Sequence, residues 1–150
     1  MKTQHIFIII LYISCSIIFI SCSSNPPSQT INTSIIGKYW KLTELNGEEV
    51  VFEPSFRRQP HIIFYPENRF SGHGGCNSFS GSYELKTDNR ILIPPFVSTQ
   101  IACINMDIEN VLMTILLESY SFLITNNETE LTLFNSNKIP FARFEVVYFE

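Results

Sequence analysis

The chain has 150 residues, a formal charge of −4 and 16% charged residues, with 13 Phe and 6 Tyr. That length holds one domain, and the aromatic content argues against disorder. Lys and Arg cluster nowhere beyond Arg57-Arg58, which excludes nucleic acid and anionic membrane surfaces as electrostatic partners.

Residues 6–20 form an apolar run after a short N-terminal stretch with one Lys, and Phe19-Ile20-Ser21-Cys22 closes it. Fifteen residues suit the core of an export signal better than a spanning helix, which needs about 20. The run has no polar face, so it does not read as a surface helix of the fold. A small residue directly before a Cys resembles a lipobox, in which the signal (residues 1–21) is cut away and lipid is attached to Cys22. Phe19 stands where that pattern usually has Leu. Cys15 competes as acceptor, but its use would shorten the apolar core to about seven residues and expose Ile17 to Ile20. The membrane would be met through this N-terminal lipid alone. Because Ser23 is not acidic, the outer membrane is the favoured destination in the cell envelope, with its inner or outer face left open. Residues 22–35, polar with prolines, read as a flexible tether, and 36–150 as the domain.

Lys38 to Leu45 alternates and runs into Asn46-Gly47, a strong hairpin signal, with Glu48 to Phe52 as the returning strand. A proline-bounded loop from Glu53 to Pro60 follows. His61 to Tyr65 reads as a strand, Pro66-Glu67-Asn68 as a turn and Arg69 to Gly72 as the strand pairing back. Gly72 to Gly81 contains four glycines and predicts a bulged or tightly bent connection, not a phosphate loop, since no Lys-Ser/Thr ending or helix follows. Ser82 to Leu85, Arg90 to Ile93 and Phe96 to Thr99 read as short strands. Ile108, Val111, Leu112, Ile115 and Leu116 fall on one face of a helix of about three turns. Asn105 is its expected N-cap, and Asp107 and Glu109 favour its positive end. Tyr120 to Thr125, Leu131 to Phe134 and Ile139 to Tyr148 complete the strands. The fold class is mainly β (α+β), a small antiparallel barrel or half-barrel with one packed helix.

Cys76 and Cys103 are the two thiols of the exported part. In an oxidising envelope they read most simply as a disulfide, with free thiols as the next reading. A metal site using His73 and His61 is the sharper alternative, but no pair of ligands has a metal-binding spacing, so neither metal nor other cofactor is expected. No nucleophile elbow or zinc-protease motif occurs, and the paired carboxylates Glu48-Glu49 and Glu128 with Glu130 sit beside turns, so no catalytic residue is assigned.

Trp40, Leu42, Leu45 and Gly47 match the W-x-L-x-x-L-x-G opening of the META/HslJ family. Residues Gly75-Cys76-Asn77-Ser78-Phe79-Ser80-Gly81-Ser82-Tyr83 match its G-C-N-x-F-x-G-x-Y. Ser98-Thr99-Gln100-Ile101-Ala102-Cys103 match its S-T-x-x-A-C, and Glu109 with Leu131-Thr132-Leu133 continues the order. From about Ile36 to Phe144 the chain therefore resembles that family. The resemblance implies a β-rich envelope domain linked to heat or drug stress and without established catalysis. Gly75, Asn77, Phe79, Gly81 and Tyr83 read as structural: Asn77 serving turn backbone, Phe79 and Tyr83 filling the core. Three functions remain in view: a module for stress tolerance that binds a protein or peptide, a lipid-anchored inhibitor presenting the Glu53 to Pro60 loop to a protease, and a barrel binding a small ligand inside.

Overall fold

A computed structural model describes residues 31–51 and 56–148. The expected export signal, Cys15, Cys22 and most of the expected tether lie outside the described residues.

Strand β1 (Tyr39–Leu45) buries Trp40, Leu42 and Leu45. Leu42 and Leu45 are an odd number of residues apart and would face opposite sides of a regular strand. A register shift between Leu42 and Glu44 turns both inward. Asn46 and Gly47 take φ of 51° and 86°, the left-handed pair that a two-residue hairpin requires. The returning strand β2 is shorter than its sequence predicts, only Glu48–Glu49 instead of Glu48 to Phe52. Its partner edge is already occupied, because β3 (His61–Tyr65) pairs with Tyr39, Trp40 and Lys41 on that side of β1.

Strand β4 (Arg69–His73) pairs back on β3, and β5 (Ser78–Ser82) pairs on β4. The glycine-rich segment is thus strand at both ends, and the expected bend contracts to residues 74–77. The glycines tolerate strand pairing because aromatic rings fill the space that their side chains leave. Gly72 lies opposite Phe79 and Gly81 opposite Phe70. β6 (Glu84–Leu85) and β7 (Ile91–Leu92) form a separate two-stranded ribbon, and β8 (Val97–Ser98) joins the edge of β5.

Helix α1 (Asp107–Glu118) is followed by β9 (Ser121–Thr125), β10 (Glu130–Phe134) and β11 (Pro140–Val147). The cap position belongs to Met106 rather than Asn105, although the Asn105 side chain still accepts the Asp107 N–H at 3.1 Å. The main sheet runs β8-β5-β4-β3-β1-β11-β10-β9. Its two end strands do not pair, so the sheet is curled but open, not a closed barrel. The concave face packs Trp40, Phe64, Phe70, Phe79, Tyr83 and Phe144 against Leu112, Ile115 and Leu116 of α1. These aromatics form the core itself, and they do not line a ligand chamber.

The ordered domain begins earlier than Ile36. Ile35, assigned from sequence to the tether, is fully buried, and the Trp40 ring N–H donates to its carbonyl at 2.8 Å.

Candidate functional site

The bend between β4 and β5 is built around one buried carboxylate. Glu109 sits in the first turn of α1, yet it is only 4% exposed. Its position three and seven residues before Leu112 and Leu116 puts it on the buried face, not at a solvated helix end. One carboxylate oxygen accepts the backbone N–H of Cys76 at 3.0 Å and of Asn77 at 2.6 Å. The other accepts the Asn77 side-chain amide at 2.7 Å. A side chain at position 74 would collide with this carboxylate, since a Cβ there would lie 2.4 Å from the Glu109 Cγ, so glycine is required by space.

Asn77 passes the connection onward. Its Oδ1 accepts from the Thr99 hydroxyl and the Ile101 N–H, both at 2.7 Å, and its Nδ2 donates to the Ile101 carbonyl at 2.9 Å. The Thr99 N–H donates to the Ser78 carbonyl at 3.0 Å. A disulfide joins Cys76 to Cys103, 27 residues apart in sequence. Asn77, Thr99 and the disulfide therefore hold residues 99–103 against the bend that Glu109 fixes. Among the described residues no buried side-chain nitrogen or oxygen is left without a partner.

The held segment and its two flanks expose three large apolar side chains among polar ones. Val97 is 71% exposed, Ile101 40%, and Ile104 is fully exposed.

A second cluster lies on the opposite, convex face of the sheet. Tyr39 stacks on His61 with ring centres 4.2 Å apart, and His73 lies parallel to His61 at 6.4 Å. Burial pushes the pKa of both histidines below the ordinary range, and the Arg58 guanidinium adds to the effect on each. For His73 the neighbouring Glu109 carboxylate acts in the other direction. The His61 Nδ1 bonds the Gln59 carbonyl at 2.8 Å, and the His73 Nδ1 accepts the Gly75 N–H at 3.1 Å. With both rings so engaged and Cys76 in the disulfide, these groups do not converge as ligands. Among the described residues no group of three or more His, Cys, Asp or Glu is arranged to hold a metal ion.

The remaining family-motif residues support the fold. Trp40 is fully buried, Gly47 forms the hairpin, Phe79 and Gly81 pack in the sheet, and the Tyr83 hydroxyl donates to the Tyr65 carbonyl at 2.8 Å. The paired carboxylates are spent locally. Glu128 forms an ion pair with Lys38 at 2.9 Å, Glu130 accepts from Thr125 and Asn126, and Glu48 and Glu49 are exposed at the hairpin. In the Glu53 to Pro60 loop, the described part is packed down: Phe56 is buried, and the Arg57 and Arg58 N–H groups donate to the Gly75 carbonyl.

The sequence profile of the META domain matches residues 33–148, which includes every element just described from β1 to β11. The chain belongs to the META domain family. No curated protein matches it significantly in sequence. Among solved structures, a protein from Burkholderia xenovorans determined by NMR is similar with a TM-score of 0.59 and 18% identity, over 83% of this chain and 98% of the other. A second NMR structure gives 0.53 and 23%, over 72% and 88%. A DUF4847 family protein from Bacteroides vulgatus gives 0.52 and 15%, over 74% and 93%. At these identities the likeness is one of fold. The META domain starts at residue 33, in agreement with the burial of Ile35.

Proposed function

We propose that the chain is a non-catalytic, lipid-anchored protein of the cell envelope, in which the META domain supports stress tolerance by binding a protein or peptide. The observation that carries the binding role is the tied segment 99–103, with Ile101 exposed within it and Val97 and Ile104 exposed at its flanks. Exposed apolar side chains beside a polar rim mark interaction surfaces. Fixing their backbone in advance lowers the entropy lost when a partner docks. Support for the envelope comes from the signal-like N-terminus with Cys22, and from a disulfide that an oxidising compartment would maintain.

The test compares the full lipidated protein with its Ile104→Lys variant in affinity capture from envelope extract, alongside growth of a deletion strain complemented with each. The variant is expected to fold normally, lose the captured partner and fail to restore growth under heat. Equal capture and equal growth would overturn the reading.

A further inference from the structure

The convex face carries a basic, hydroxyl-lined depression that the binding role above does not use. Strand register sets it out: Lys41, His61, His73 and Ser78 are successive cross-strand neighbours in one row, and Ser71 and Ser80 are direct neighbours in the next. Arg58, from the loop packed on Gly75, reaches the same place. Together Arg58, His61, Ser71, Ser78, Ser80 and Thr99 line a depression of about 420 Å³.

The lining contains no carboxylate. Among the described residues none forms an ion pair with Arg58, and the Ser78 and Ser80 hydroxyls have no hydrogen-bond partner, although the chain as a whole is acidic at −4. A guanidinium fork with adjacent free hydroxyls offers donors in the arrangement that an oxyanion accepts. His61 adds a conditional donor. Its Nδ1 proton is given to the Gln59 carbonyl, so Nε2 becomes a donor only on protonation.

We propose that this depression binds an oxyanion, the phosphate or carboxylate group of a small molecule, held by Arg58 with Ser78 and Ser80 and reinforced by His61 once it is protonated. The groups facing His61 are Tyr39 and Lys41 from β1, His73 from β4 and Arg58 from the loop, with Arg57 and Glu109 acting on the site through His73. All but Glu109 and neutral Tyr39 disfavour a second positive charge. An anion in the depression reverses that balance, so binding and protonation of His61 reinforce one another.

The test is a titration of the full protein, followed by amide NMR, with sulfate and with formate at pH 5.5 and 7.5, where both ions keep their charge. Shifts are expected at Ser78 and Ser80, with tighter binding at pH 5.5. Arg58→Gln is expected to weaken binding about ten-fold or more, while Arg58→Lys retains part of it. His61→Gln is expected to remove the pH dependence and leave binding at pH 7.5. Saturation by sulfate alone assigns a phosphate-type ligand, and saturation by formate alone a carboxylate. Saturation by neither, shifts that leave Ser78 and Ser80 unmoved, or an Arg58→Gln affinity within two-fold of the parent protein would overturn the proposal.

Discussion

Replacing Glu109 by Gln exchanges one carboxylate oxygen for an NH₂ group and isolates what the buried carboxylate does. In the parent protein its two oxygens meet three donors: the Cys76 N–H, the Asn77 N–H and the Asn77 side-chain amide. Gln can keep its oxygen on the two backbone N–H groups, but its NH₂ then faces the NH₂ of Asn77. Turning Asn77 over does not resolve the conflict. Its Oδ1 already accepts from the Ile101 N–H and its Nδ2 donates to the Ile101 carbonyl, so a flip would break both bonds to Ile101. The substitution thus leaves at least one buried donor unmatched, at about 1–3 kcal/mol, and weakens two charge-assisted bonds to neutral ones at about 1 kcal/mol more. A loss of roughly 2–4 kcal/mol is expected, a large share of the 5–15 kcal/mol typical of a domain. Urea unfolding of Glu109→Gln and the parent protein measures it, with the m-value checked for a common two-state transition. A difference below about 0.5 kcal/mol would refute the reasoning, since the network would then tolerate a donor where it requires an acceptor.

Replacing Cys76 and Cys103 together by Ser should cost about 3–4 kcal/mol, from the loop entropy of a 27-residue closure, and equilibrium denaturation would read it directly. Stability should fall as the pH drops below the ordinary histidine value of 6.5, because His61 and His73 have lowered pKa values in the folded state and the unfolded chain therefore takes up protons first. Thermal unfolding at pH 7.5 and pH 5 would show this, and a His61→Gln/His73→Gln variant should have a flatter profile. Cys22→Ala should abolish labelling by a radioactive fatty acid and leave the precursor uncleaved; continued labelling would move the anchor to Cys15 or elsewhere.

The elements legible in the sequence are those fixed by local signals. Asn46-Gly47 announces the first hairpin, Pro66-Glu67-Asn68 sets the second, and the apolar spacing of Ile108 to Leu116 gives the helix. Cys76 and Cys103 were reducible to a disulfide because no other thiol follows residue 22 in the sequence. Elements fixed by distant partners were not legible. β5 reads as a bend until Phe79 and Phe70 are seen to occupy the space beside Gly72 and Gly81. Glu109 reads as a charge complementing the helix dipole, because its partner Asn77 is 32 residues away. Its spacing from Leu112 and Leu116 was the available clue to burial. The register of β3 on β4 could have placed His61 opposite His73 from the turn alone, but nothing local brings Arg58 to them.

The central claim is that the segment tied down by Glu109, Asn77 and the disulfide is where a protein partner docks. Site-specific photo-crosslinking in living cells tests it most directly, with a photoreactive residue placed at Ile104 in one strain and at Leu123, exposed on β9, in another. The account predicts a discrete crosslinked adduct from position 104 that is absent from position 123 and lost when Glu109→Gln loosens the segment. Adducts from position 123 alone, or none from position 104 under heat stress, would contradict it.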